Sequence, residues 1–150
     1  MDETDKKILS EIQRDGRISV TELAERVGLS LSPCHRRLRA LEDDKVVMGY
    51  RAIVDPLAVG MSFSALVFVT LREGDQKAVA AFENAVTLVT QVFKAERLFG
   101  TPDYLLQVVC QDLPDFQHLY DQRLSKLPSV LRLTSTLVMK TVVADRALPI

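Results

Sequence analysis

The chain has no tryptophan and only two cysteines and two histidines among its 150 residues. No apolar run approaches the roughly 18 residues that a membrane-spanning helix needs. Each scarcity removes a class of function. Cys34 and Cys110 fall in what read as different domains, which makes them poor disulfide partners. Neither His35 nor His118 has a second histidine or cysteine at zinc-site distance, so no metal or other cofactor is expected. Paired carboxylates, a nucleophile triad and a phosphate-cradling glycine loop are all missing, and no catalytic residue can be nominated. The opening Met1-Asp2-Glu3 lacks the basic and apolar regions of a secretory leader, so the expected location is cytoplasmic. Neither sign of charge dominates, since 19 Lys and Arg against 20 Asp and Glu leave a net charge of -1.

What is there is a composition of 47% hydrophobic and 26% charged residues, enough for one large or two small globular domains. A near-neutral chain that binds a polyanion must gather its cations locally. It does so once, in the run SVTELAERVGLSLSPCHRRLRALEDDKVVMGYRAIV. Ser19 and Glu22 have the spacing of a reciprocal capping box ahead of a helix that carries Leu23, Ala24 and Val27, and Gly28 ends that helix. Ser30 or Ser32 can cap the next helix, and Pro33 is tolerated because first-turn amides have no intrahelical partner.

At about 100° per residue, Leu31, Cys34, Leu38 and Leu41 share one side of this second helix. Arg36 points the opposite way, flanked by Ser32 and Ala40, while Arg37 and Arg39 project to left and right where the phosphate walls of a major groove would lie. The acidic run Glu42, Asp43, Asp44 confines the positive charge to the first turns. Ile8, Leu9 and Ile12 on an earlier helix, followed by Ile18, Val20, Leu23 and Val27, supply the core that turns the basic face outward. The expected reader of double-stranded DNA therefore comprises Ser30, Ser32, Pro33, His35, Arg36, Arg37 and Arg39. Residues 46–54 alternate as extended structure, a wing or a bridge to a second domain.

Asp55, Pro56 and Gly60 punctuate the chain, which gives expected divisions of 1–50, an extended linker at 51–61, and 62–150. Beyond the linker the pattern reads strand 63–71, helix 76–85 capped by Asp75, strand 89–98, strand 104–110, helix 113–127 capped by Asp112, and strand 130–143. The order βαββαβ predicts an α+β, ferredoxin-like domain, an antiparallel four-stranded sheet with both helices on one face. In the first strand, Phe63, Ala65, Val67, Val69 and Leu71 alternate with Ser64, Leu66, Phe68, Thr70 and Arg72, so the face without helices still carries large apolar groups. A second copy covering that face is the expected partner. Cys34 reads as a small buried hydrophobe and His118 as a surface residue. The turn Gly100, Thr101, Pro102, Asp103, Tyr104 is explained by spacing alone as local structure, with the aspartate bonding nearby amides.

Three segments together, GLSLSPCHRRLRALEDDKVVMGYRAIVDPLAVG, GTPDYLLQVV and TSTLVMKTVVADRALPI, resemble the Lrp/AsnC (leucine-responsive, or feast/famine) family of transcription regulators, over essentially the whole chain. His35 departs from the larger aromatic or leucine of many members and leaves the operator sequence open. The resemblance implies a helix-turn-helix (winged) domain followed by the ferredoxin-like domain, and a homodimer that assembles to a tetramer or octamer. It further implies a pocket between dimers for a small effector, commonly an amino acid. The matching positions are Gly100, Thr101, Pro102, Asp103 and Tyr104 with the neighbouring Leu105, and Thr134, Ser135 and Thr136. Asp103 would meet an α-ammonium, and backbone amides with threonine hydroxyls an α-carboxylate. The competing expectation on the same architecture is an enzyme that resembles the tetrapyrrole-binding sirohaem decarboxylases. It fits poorly with two histidines and an intact basic helix.

Overall fold

The computed structural model describes residues 1–144 and 146–150. The chain forms two compact units, Met1–Ile53 with Val142–Ile150, and Val54–Thr141. The expected division places all of 62–150 together, whereas by contacts the last residues group with the first unit. The closing residues belong with the N-terminal helices, where the Leu148 N–H donates to Gln13 Oε1 at 2.7 Å and Gln13 Nε2 donates to the Leu148 carbonyl at 3.5 Å.

The first unit is built on three helices, α1 (Glu3–Arg14), α2 (Val20–Val27) and α3 (Leu31–Asp43). At the start of α1 the carboxylates of Asp2 and Asp5 each accept the other's backbone N–H at 2.9 Å. This satisfies two donors that the first turn would otherwise leave orphaned. The sequence places such a box on α2 instead, and there only half forms. Ser19 Oγ accepts from the Glu22 N–H at 3.1 Å, but the Glu22 carboxylate turns to Arg26 at 2.6 Å. Gly28 stops α2 at φ 73°, a backbone state that costs glycine least, while the Leu29 N–H reaches back to Ala24 O at 2.9 Å. That bond makes the turn tight enough to swing α3 across α2.

Ile8, Leu9, Ile12, Leu23, Ala24, Cys34, Leu38 and Leu41 form the buried core of this unit. Burying each large aliphatic side chain stabilises it by about 1.5–3 kcal/mol before the entropy of ordering is subtracted. Leu31, expected on the same stripe, is 52% exposed. A helical side chain leans towards the N-terminus, so that of the first residue leans off the end, with no turn beneath it. Among the described residues, 46–54 pair with no strand. They are held by the Val47 N–H on Leu41 O at 3.0 Å and by Tyr50 Oη on Glu42 at 2.9 Å. The 51–61 segment, expected to be extended, contains a 3-10 turn at Leu57–Val59.

The second unit runs β1 (Phe63–Leu71), α4 (Gln76–Val86), β2 (Val92–Arg97), β3 (Tyr104–Cys110), α5 (Leu113–Gln122) and β4 (Val130–Leu137). The sheet order is β2-β3-β1-β4 with every neighbouring pair antiparallel, the expected ferredoxin-like arrangement. Asp75 and Asp112 cap the two helices through the Ala78 and Asp115 N–H groups, at 2.7 and 2.8 Å. Three boundaries differ from expectation. Val89 is buried in a turn before β2, α5 breaks at Arg123 so that Leu124 and Leu127 reach the core from a 3-10 turn, and β4 stops at Leu137. The last follows from β1, which begins at Phe63. Once the Val138 N–H has met Ser64 O, no partner strand remains for residues up to 143.

Side chains alternate cleanly across β1 and β3. Ala65, Val67, Val69 and Leu71 with Tyr104, Leu106, Val108 and Cys110 face the helices and form the core with Phe82 and Phe116. Ser64, Leu66, Phe68 and Thr70 with Leu105, Gln107 and Val109 face away and are half-buried.

Candidate functional site

The outer face of α3 is the first candidate. Ser30 stands at the N-cap, yet its hydroxyl makes no capping bond. Ser32, His35, Arg36 and Arg39 are exposed and Pro33 is half-buried. Val20, Leu31, Ser32 and His35 line a notch at the N-terminal end of the helix. Leu31 and Val20 are additions that sequence reasoning missed. The wheel assigns Leu31 inward, and only its place at the helix start signals otherwise.

Arg37 departs from the expected role of a phosphate contact. Its Nη1 donates to Asp2 Oδ2 and to Asp5 Oδ1, both at 2.8 Å, so the capping box of α1 also grips α3. The Asp5 N–H and then the Arg37 guanidinium hold the Asp2 carboxyl below its usual range. The carboxylates of Asp5 and Asp2 in turn raise the pKa of Arg37. Arg36 and Arg39 have no ion pair among the described residues and stay free at the surface. One arginine fixes the helix, and two are left to act.

The second candidate lies on the sheet face away from the helices. Gly100 takes φ 125°, and the turn it opens delivers Asp103, whose carboxylate accepts the Leu71 N–H at 2.8 Å while its own N–H donates to Val69 O at 2.9 Å. The side chain expected to receive an ammonium is thus engaged by its own backbone. Tyr104 is also turned away. It is buried on the helix side, stacked on Phe82 with ring centroids 4.5 Å apart, and its Oη donates to Glu83 at 2.8 Å. Burial, with Glu83 as the lesser cause, pushes its pKa up to about 12.

The antiparallel register sets Thr134 opposite Phe68 and Thr136 opposite Leu66 on the open face, and Ser135 opposite Val67 on the other. Leu105 shares the open face and also lies opposite Phe68. A shallow pocket of about 290 Å³ is lined by Phe68, Thr70, Thr101, Pro102, Arg132 and Thr134. Of the expected effector residues it brings together Thr101, Pro102 and Thr134. Phe68, Thr70 and Arg132 were not foreseen, because they enter through strand pairing, with Thr70 opposite Arg132. Both thiols are buried, and burial raises Cys34 and pushes Cys110 up to about 11. Among the described residues no cluster of three or more histidine, cysteine or carboxylate groups could hold a metal, and no helix is long and apolar enough to cross a membrane.

Comparison with known proteins bears on both faces. Residues 1–48 match the family model of winged helix-turn-helix DNA-binding domains, and residues 64–148 match that of the Lrp/AsnC ligand binding domain. A proline dehydrogenase transcriptional activator of Rhodobacter capsulatus is 38% identical over 147 residues, covering 98% of this chain and 96% of that protein. A transcriptional regulator of Neisseria meningitidis, crystallised with L-methionine, superposes with a TM-score of 0.93 at 36% identity, over 99% of this chain and 96% of that one. A feast or famine regulatory protein of Mycobacterium tuberculosis, also complexed with L-methionine, gives a TM-score of 0.85 at 33% identity, over 97% and 96%. With a helix-turn-helix at one end and the ligand-binding sheet at the other, the chain belongs to the Lrp/AsnC family of DNA-binding transcription regulators.

Proposed function

We propose that the protein binds operator DNA through α3 and adjusts that binding to the level of a small metabolite, an amino acid or close relative, held between dimers beside the turn before β3. The observation that carries the reading is the division of labour on α3. Arg37 is locked to α1 while Arg36 and Arg39 project freely, so the helix is both fixed and chemically available. Its N-terminal half enters the major groove, where Ser32, His35 and Arg36 meet base edges and Arg39 meets phosphate.

One short helix gives little discrimination, and a symmetric dimer that places two of them on spaced half-sites multiplies it. The half-buried apolar groups Leu66, Phe68, Leu105 and Val109 supply a self-complementary face for that dimer, and dimers join further into tetramers or octamers with the effector between them. An effector works here only by binding one assembly better than another. L-Methionine in two similar structures supports an amino-acid-like ligand.

A gel shift on the protein's own promoter fragment, repeated over a range of salt and with added amino acids, tests both halves. Binding should weaken steeply with salt, and at least one amino acid should change both the shift and the sedimentation coefficient. Salt-independent binding would remove the DNA-reading assignment. A shift and an assembly state untouched by all twenty amino acids would remove the effector.

A further inference from the structure

We propose that Leu31, backed by Val20, is a specificity-determining contact that reads the C5-methyl group of one thymine in each operator half-site. This rests on the DNA-binding reading above and names a base for it. Among the described residues from Asp2 to Lys45, Leu31 is the only large apolar side chain that is exposed. It takes no part in the core of the helical unit, against which Ile18, Val20, Val27 and Leu29 all pack. A lone exposed leucine elsewhere would call for no explanation. Here its position supplies one. Leu31 is the first residue of α3, and its side chain leans past the end of the helix, towards the place where the first residues of a recognition helix meet base edges.

Val20, the half-buried first residue of α2, lines one notch with Leu31, Ser32 and His35. Leu31 and His35 are four residues apart and so share a side of α3. The notch therefore sets two apolar side chains beside a hydroxyl and an imidazole. The major-groove edges of the bases carry hydrogen-bond donors and acceptors with a single apolar exception, the thymine methyl. A leucine pressed on any other edge strips water from a polar group and returns no hydrogen bond, which is unfavourable. Against the methyl it buries apolar surface on apolar surface. Ser32 and His35 bring hydrogen-bonding groups for the polar edges around that methyl, thymine O4 among them. Burying one methyl is worth about fourfold in affinity, and a symmetric dimer collects that factor twice.

The test starts from duplexes that the full chain enriches from a random-sequence pool. Each thymine is then replaced singly by deoxyuridine, which deletes the methyl and nothing else, and binding is compared by gel shift. At one thymine per half-site the replacement should weaken binding about fourfold, and about fifteenfold when both half-sites carry it. Leu31→Ala should bind the thymine and uracil duplexes within about twofold of each other, with circular dichroism and sedimentation unchanged. Leu31→Met, which keeps an apolar tip, should retain the uracil penalty. Arg39→Ala should weaken both duplexes and retain it too, because a phosphate contact does not sense the methyl. If no thymine shows a uracil penalty, or the penalty survives in Leu31→Ala, the inference fails while the DNA-binding reading stands. A changed sedimentation coefficient for Leu31→Ala would assign the side chain to a contact between copies and has the same meaning. Failure to enrich any sequence would overturn both.

Discussion

The two units solve the problem of presenting charge in contrasting ways. In the helical unit the presented cations, Arg36 and Arg39, stand three residues apart on one helix, and a carboxylate pair at the start of another engages Arg37. In the sheet unit the presented cation is Arg132, beside a shallow pocket lined by residues from β1, β4 and the turn before β3, and a backbone N–H holds one oxygen of the Asp103 carboxylate. Each site thus pairs a free charge with a nearby charge that is structurally committed. The committed groups hold geometry, and the free ones are exposed at the surface.

That contrast is open to attack at several points, beginning with the largest effect. Phe82→Ala removes a fully buried ring stacked on Tyr104, and should cost the sheet unit about 3–5 kcal/mol in urea unfolding followed by a probe in that unit. A loss below about 1 kcal/mol would mean that the pocket's backing is far more plastic than a packed core. Next comes Arg36→Ala, expected to erase about 1–3 kcal/mol of discrimination at one operator base pair while binding to scrambled DNA barely changes. Equal weakening on every sequence would turn Arg36 from a base reader into a phosphate contact.

Arg37→Ala sharpens the comparison most directly. It should lower the unfolding midpoint of the helical unit but leave the salt slope of DNA binding as it was, because its guanidinium neutralises Asp2 and Asp5 instead of phosphate. A slope shallower by about one ion would return Arg37 to the DNA. The pH dependence has a definite sign. The Asp2 pKa is lowered on folding, so the stability it brings is present above 3.8, its ordinary value, and is lost as the pH falls through the lowered one. The Arg37→Ala variant should accordingly show less acid destabilisation than the parent. The smallest effect is at the alkaline end. Tyr104 is raised from 10.0 to about 12, so its contribution is full below 10 and fades as the pH rises towards 12. Tyr104→Phe should flatten that limb in far-ultraviolet circular dichroism, and an unchanged limb would assign it to other groups.

The contrast also explains how much could be read in advance. Helix periodicity depends on neighbours three and four apart, so the core stripe Cys34, Leu38, Leu41 and the outward aim of Arg36 were legible before any coordinates. The sheet order was legible for a similar reason, since alternation and turn residues mark each strand. The ion pairs of Arg37 went unforeseen because its partners lie 35 and 32 residues away, in a capping box the sequence did not announce. Phe68, Thr70 and Arg132 went unseen for the same reason, as only the β1–β4 register brings them together. Asp103 is the instructive middle case. Spacing alone favoured local bonding, family likeness pulled it towards a ligand, and its hydrogen bonds follow the spacing.

The return of Val142–Ile150 to the helical unit sets an order of events during synthesis. Residues 1–53 leave the ribosome first and can collapse around Ile8, Leu23 and Leu38, but their last hydrogen bonds, from Gln13 to Leu148, must wait until the entire sheet has been translated. The segment made earliest is therefore completed last. A nascent chain arrested within β4 would carry a finished α3 in a unit whose closing bracket does not yet exist.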